Sequence, residues 1–231
     1  METNRFERLP DARILVLVGN YGSGKTEISL NLALKYAQRG EQVTLVDLDI
    51  VNSYFRSGEK AQELREAGVR VLMPSFALST VDIPALPAEI QSVFITPSDR
   101  VIFDVGGDDT GAAALGRYAP SFRQFREETT VALVVNAMRP LTQTAEDAAE
   151  LGRRIEQRGR MRIDMVINNT NLADRTTPEM LLQGHETACG AARLLGADCV
   201  VDAGLPELLR QSGLADGLPV ARYMKPEWMD E

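Results

Sequence analysis

The stretch RILVLVGNYGSGKT, Arg13 to Thr26, decides the fold. Its first half, Arg13 to Val18, is a continuous apolar run, as expected of a strand buried on both faces of a parallel sheet. Its second half, Gly19-Asn20-Tyr21-Gly22-Ser23-Gly24-Lys25-Thr26, fits GxxxxGK[ST] and opens a helix. The spacing has a chemical reason. Glycines let backbone amides curl around an anion, and the helix N-terminus adds its positive dipole end. Lys25 reaches outer phosphates, and Thr26 offers a hydroxyl to magnesium. At this chain's own residue frequencies the pattern arises by chance about once in four hundred such chains. Only Lys25, Lys35, Lys60 and Lys225 are lysine among 25 basic residues, which makes a lysine inside the motif harder to attribute to accident.

Outward from this stretch, apolar runs recur at 41–47, 69–73, 100–105, 130–136, 163–168 and 198–202, for about seven strands in all. Helical stretches alternate with them: Lys25 to Arg39 before Gly40, Glu59 to Ala67 before Gly68, Thr144 to Arg158 before Gly159, and Pro178 toward Leu195 before Gly196. Glycine after each supplies the left-handed closing residue. In the third, Ala145, Ala148, Leu151 and Ile155 form one stripe at helical spacing. Strands alternating with helices predict an α/β fold with a doubly wound, mainly parallel sheet, in one nucleotide-binding domain over 1–231. Pro74 to Pro97 is the least regular stretch and reads as a surface excursion. Residues 74–98 or 106–127 are where a further substrate pocket is expected.

In such sheets ligands lie beyond the carboxyl ends of the strands, and acids gather there. One run ends Asp47-Leu48-Asp49-Ile50-Val51-Asn52, another Asp104-Val105-Gly106-Gly107-Asp108-Asp109. A carboxylate after a buried strand suits magnesium, which keeps most of its waters. Thr26, Asp49 and Asp104 are therefore the expected metal-side residues, with Gly107 bringing a backbone amide to a terminal phosphate. A cap or turn role is the alternative for each aspartate, and carries more weight for Asp47, Asp108 and Asp109 than for Asp49 and Asp104.

The three motifs in this order, GNYGSGKT, DLDIVN and DVGGD, resemble the MinD/ParA and nitrogenase-iron-protein group of P-loop ATPases, over most of 13–210. The resemblance implies Mg2+ and ATP as cofactors, with Lys25, Asp49 and Asp108 as catalytic residues; Asp49 orients water, and Asp108 matches the second acid of the nitrogenase iron protein's DxxGD. It implies adenine contacts from Asn168, at the end of a late strand, and from the Gly204-Leu205-Pro206-Glu207 loop. It also implies a nucleotide-dependent homodimer, with one departure: the lysine that seals the family's dimer is Asn20 here.

Two other resemblances stay open. The glycine loop, Gly106-Gly107-Asp108 and Asn168-Asn169-Thr170-Asn171 are similar to the nickel-insertion GTPases, whose base-reading motif is NKxD. Asn171 replaces the aspartate that accepts guanine's donors, which argues against guanine. Dethiobiotin synthetase and cobyrinic acid diamide synthase, which use ATP to activate a carboxylate, share the fold and a loop without the signature lysine.

Composition excludes other classes. With 33 acidic against 25 basic residues the formal charge is −8, so attraction of the whole chain to nucleic acid or anionic lipid is not expected. No apolar run reaches the roughly 18 residues of a membrane span and the start lacks signal-peptide features, so the cytoplasm is the expected location. Cys189, Cys199 and a single His185 cannot build a metal or disulfide framework and read as structural. Arg153, Arg154, Arg158, Arg160 and Arg162 read as a solvated helix face or, less well, as a patch for DNA or an acidic partner. Trp228 reads as a packing residue, and nothing in the chain names the protein partner.

Overall fold

A computed structural model describes Leu9 and residues 11–49, 58–73, 88–96, 98–107 and 109–224. Asp108, most of the 49–58 loop, the bulk of the 74–97 excursion and Trp228 lie outside them. The apolar runs pair into one eight-stranded parallel sheet: β1 (Ile14–Gly19), β2 (Val43–Leu48), β3 (Arg70–Leu72), β4 (Arg100–Val105), β5 (Thr129–Val135), β6 (Met165–Asn168), β7 (Cys199–Gly204) and β8 (Leu218–Pro219). Their order is β3-β2-β4-β1-β5-β6-β7-β8. The last is a two-residue edge strand that no sequence period reveals; it pairs Leu218 with Ala203.

Every residue of β1, β2 and β5 is buried, because helices cover both faces. One face packs Ile28, Leu32 and Tyr36 of α1 (Lys25–Gln38) and Leu64 of α2 (Gly58–Glu66) against Leu15, Leu17 and Leu45. The other carries α3 (Ala88–Ser92), α4 (Asp109–Arg117), α5 (Ala119–Gln124), α6 (Ala145–Gly159) and α7 (Pro178–Leu195). There Phe94, Phe103 and Phe122 meet edge to face, with centroids 5.0 Å apart for Phe94–Phe122 and 5.1 Å for Phe103–Phe122. Such pairs add about 0.5–1.5 kcal/mol beyond the area they bury. A last short helix, α8 (Pro206–Gln211), follows β7.

Gly40, Gly68 and Gly196 take left-handed φ of 84°, 84° and 69°, as their closing role requires. Gly159 does not: α6 runs through it, and Arg160 closes the helix at φ 54°. Gly159 is glycine for packing instead. A Cβ there would stand 3.2 Å from Leu115 of α4, and one at Gly116 would stand 2.5 Å from the Arg158 carbonyl oxygen. Residues 106–127, expected as loop, are largely α4 and α5. Among the described residues no helix is long and apolar enough to cross a membrane.

The site follows from the strand order. From β1 the chain passes to β2, two places to one side, and later crosses from β4 to β5 on the other. The order thus reverses around β1, where open α/β sheets place ligands.

Candidate nucleotide-binding site

The Gly19–Thr26 turn leaves β1 and enters α1 with Gly22 and Gly24 left-handed, at φ 73° and 89°. Three neighbouring strand ends hold it. A Cβ on Gly19 would lie 2.4 Å from the Val134 carbonyl oxygen of β5, and one on Gly24 would lie 2.1 Å from Asn169 Nδ2. Past β4, Gly107 is as tightly placed: a Cβ there would meet the Tyr21 amide nitrogen at 2.4 Å. Asn169 Nδ2 donates to the Ser23 carbonyl at 2.8 Å, and Asn20 Nδ2 donates to the Pro140 carbonyl at 2.7 Å. The loop amides are therefore fixed before any anion arrives, which is the form of site that gains most from one.

Lys25 is buried, and its ammonium donates to the loop carbonyls of Gly19 and Asn20 at 3.2 and 2.9 Å. Asp104, at the end of β4, is 2% exposed. Burial pushes its carboxyl up to about 6; Lys25 and the Thr26 and Ser29 side chains pull it down, while Asp49 pushes it further up. Lys25, Thr26, Asp49 and Asp104, picked from distant parts of the sequence, thus stand within electrostatic reach of one another. Asp47 is a turn residue, its Oδ1 accepting the Asp49 amide at 2.8 Å. Asp49 in turn faces Gly106, whose Cβ position is 3.4 Å from its Cγ. Asp108 lies outside the described residues.

On the other side of the loop a cleft of about 190 Å³ runs from Gly22 and Gly24 past Asn169 and Asn171 to Gly204 and Leu205. Its far wall is apolar, built from Ala203, Leu208, Val220 and Met224. Of the expected base contacts, Leu205 lines this cleft, whereas Asn168, Pro206 and Glu207 do not. Asn168 is fully buried, donating to the Leu181 carbonyl at 3.1 Å and to Asp202 at 2.8 Å. Pro206 and Glu207 are exposed, and Glu207 pairs with Arg210 on its own helix.

Other residues that build the cleft carried weaker signals. Asn169 was legible only as a replaced lysine. Asn136 closes β5 as Asn168 closes β6; its Oδ1 accepts the amides of Met138 and Asn171 at 3.0 and 3.3 Å. Glu27 lines the cleft and accepts the Met224 amide at 3.2 Å, joining α1 to the end of the described chain. His185 links Asp202, at 2.9 Å, to Cys189, at 3.4 Å, and so ties α7 to β7.

A glycine turn between a buried strand and a helix, with its lysine and a buried acid one strand away, defines a nucleotide-binding P-loop protein. The profile of the CobQ/CobB/MinD/ParA nucleotide-binding domain matches residues 14–197, and the chain belongs to that family. Among solved structures it is similar to the signal recognition particle 54 kDa protein of Aeropyrum pernix K1 in complex with GDP, at 25% identity and TM-score 0.52. That match covers 87% of this chain but 44% of the other, so this chain spans less than half of that protein's length. The cell division protein FtsY of Thermotoga maritima is 16% identical over 89% of this chain and 69% of its own, with TM-score 0.52. FtsY of Mycoplasma mycoides is 19% identical over 82% and 59%, with TM-score 0.51. At such identities the FtsY likenesses show the fold. No curated protein matches the chain.

Proposed function

We propose that the chain binds ATP with magnesium and hydrolyses it slowly, the nucleotide state changing its contact with a protein partner. One observation carries the reading: the desolvated Asp104 carboxyl, held at about 6 beside Thr26, Lys25 and Asp49. A carboxylate that burial makes costly to ionise gains most from a cation, and the Thr26 hydroxyl beside it is a second hard oxygen ligand. Thr26 and Asp104 would hold the ion, with Asp49 adjacent. When bound, magnesium neutralises charge on the outer phosphates.

The chain's own residues do the rest. Loop amides and Lys25 orient the phosphates, Gly107 presents its amide from the β4 side, and Asp49 accepts a hydrogen bond from the attacking water. Asp108 is the further acid of this set. Asn171 supports adenine over guanine, since its Nδ2 donates to the Asn169 carbonyl at 2.8 Å and its Oδ1 accepts the Ala173 amide at 3.3 Å. It offers no free acceptor pair to guanine's two donors. Asn20 is engaged inside its own chain, with its Oδ1 accepting the Tyr21 amide at 2.9 Å as well as the bond to Pro140. The switch in this reading therefore runs through the segments meeting at Asp49 and Gly106, not through a lysine crossing to a second copy.

The test is calorimetric titration of ATP, with and without magnesium, alongside phosphate release. Wild type binds ATP more tightly with magnesium and releases phosphate slowly. Lys25→Ala loses about ten-fold or more in ATP affinity while its unfolding transition persists. Undiminished affinity and turnover in Lys25→Ala would end the proposal.

A further inference from the structure

A second cavity, of about 220 Å³, opens on the sheet face away from α1, between α4 and α6. Val18 and Val105 line it beside Gly19, Asn20, Gly106 and Gly107. Ala112 comes from α4, and Leu151 and Ile155 come from α6. Gly116 and Gly159 draw the two helices together, and the space survives beside them because α4 offers only the methyl group of Ala112 against Leu151 and Ile155. At its edge Leu141 is half exposed with φ 66°, a left-handed conformation that costs a leucine about 1–2 kcal/mol.

The charge of this cavity is unlike that of the chain. No carboxylate lines it, although acids outnumber bases by 33 to 25, and Arg154 and Arg158, one helical turn apart, both do. Among the described residues Arg154 has no hydrogen bond or ion pair. The other arginines of the group are placed differently: Arg153 donates to the Leu194 carbonyl at 3.2 Å, Arg162 bonds the Gly196 carbonyl, and Arg160 caps the helix. The basic cluster therefore divides into structural arginines and two that line a pocket.

Apolar walls and a guanidinium pair select an occupant with a short hydrocarbon body and one anionic end. Inorganic phosphate would leave the valines, leucine and isoleucine uncovered. A whole nucleotide is too large, since sites for ligands of that size run to about 300–1,000 Å³, and the base cleft lies across the loop. We propose that this crevice binds a small organic acid, its carboxylate on Arg154 and Arg158 and its chain against Leu151, Ile155 and Val18. The site stands apart from the hydrolysis proposed above, though Gly19, Asn20, Gly106 and Gly107 border both.

The probe is hexanoate, with hexanamide as its uncharged isostere, titrated onto the full chain and followed by amide NMR, with tripolyphosphate present to fill the glycine loop. Hexanoate is expected to bind saturably, moving the amides of Gly106, Gly107, Leu151 and Ile155, and hexanamide to bind about ten-fold or more weakly. Arg154→Gln should weaken hexanoate about ten-fold while ADP affinity and the unfolding midpoint stay as in wild type. Ile155→Trp, which fills the cavity, should remove binding of both probes. The proposal is overturned by absence of saturable binding, by equal affinity for acid and amide, by an Arg154→Gln variant that binds as wild type, or by shifts confined to the glycine loop. Hexanoate binding in a chain that fails to bind ATP would sink the hydrolysis proposal and leave this one standing.

Discussion

Replacing Asp104 with asparagine should make the protein more stable near neutral pH. The carboxyl is 2% exposed, and burial raises it from an ordinary 3.8 to about 6 despite Lys25. Below about pH 4 it is protonated in folded and unfolded chains alike and costs nothing. Between 3.8 and 6 the unfolded chain ionises while the folded chain holds its proton, so folding becomes less favourable as pH rises. Above 6 the full penalty is carried, about 3 kcal/mol at about 1.36 kcal/mol per pH unit. An asparagine side chain has the shape of the acid without the charge, so Asp104→Asn should gain up to that amount at neutral pH and nothing at about pH 4. For a chain of 231 residues this is a rise of about 6–12 °C in Tm.

The assay is urea and thermal unfolding of both proteins across this pH range, without nucleotide and with ATP and magnesium. Magnesium with ATP should raise the Tm of wild type and leave the variant nearly unmoved, because only the carboxylate gains from a cation. An Asp104→Asn variant less stable than wild type at neutral pH would refute the reasoning. So would a stability difference that does not shrink as pH falls toward 4.

Asp49→Ala should keep ATP affinity within a few-fold and lose about ten-fold or more in phosphate release, since a water-orienting group acts after binding; equal loss of both in a titration paired with a rate assay would assign Asp49 to binding instead. In a competition titration wild type should prefer ATP to GTP, and Asn171→Asp should shift the ratio toward GTP by about ten-fold, because a carboxylate accepts from guanine's two donors; an unchanged ratio would remove Asn171 from base selection. Gly116→Ala should destabilise by about 1–3 kcal/mol in urea unfolding, because its methyl group would meet the Arg158 carbonyl oxygen at 2.5 Å; a neutral substitution would show that α4 and α6 can part.

The sheet was legible because each of its seven principal strands is buried on both faces and so reads as an unbroken apolar run bounded by glycine or polar residues. The GxxxxGKT loop was legible because its glycines answer to a conformation, with Gly22 and Gly24 left-handed. Glycines that answer to a contact were not. Gly111, Gly116 and Gly159 lie in helices, where a Cβ would come within 2.3, 2.5 and 3.2 Å of neighbouring atoms, and in sequence they look like breaks. That is why α4 and α5 were hidden behind GAAALGRYAP and why α6 was ended one residue early. The same distinction separates Asn168 from Asn169. Successive residues at a strand end point to opposite sides, so the residue that closes the apolar run turns into the protein and the next one reaches the ligand side.

Asn169 also explains how two parts of the site depend on each other. Its amide holds the Ser23 carbonyl at 2.8 Å, stands where a Gly24 side chain would be, and lines the cleft beside the loop. Its neighbour Thr170 accepts the Ala137 amide at 3.0 Å, so the β6 end is fastened to the β5 end, which in turn reaches the loop through Pro140 and Asn20. Movement of the cleft therefore strains bonds that set the loop amides, and movement of the loop strains the cleft. A lysine in the place of Asn169 could not do this with one short amide donor, and its ammonium would bring a charge into a position that is 5% exposed. The asparagine that breaks the NKxD pattern in sequence is, in the fold, the residue that makes the phosphate loop and the neighbouring cleft a single rigid site.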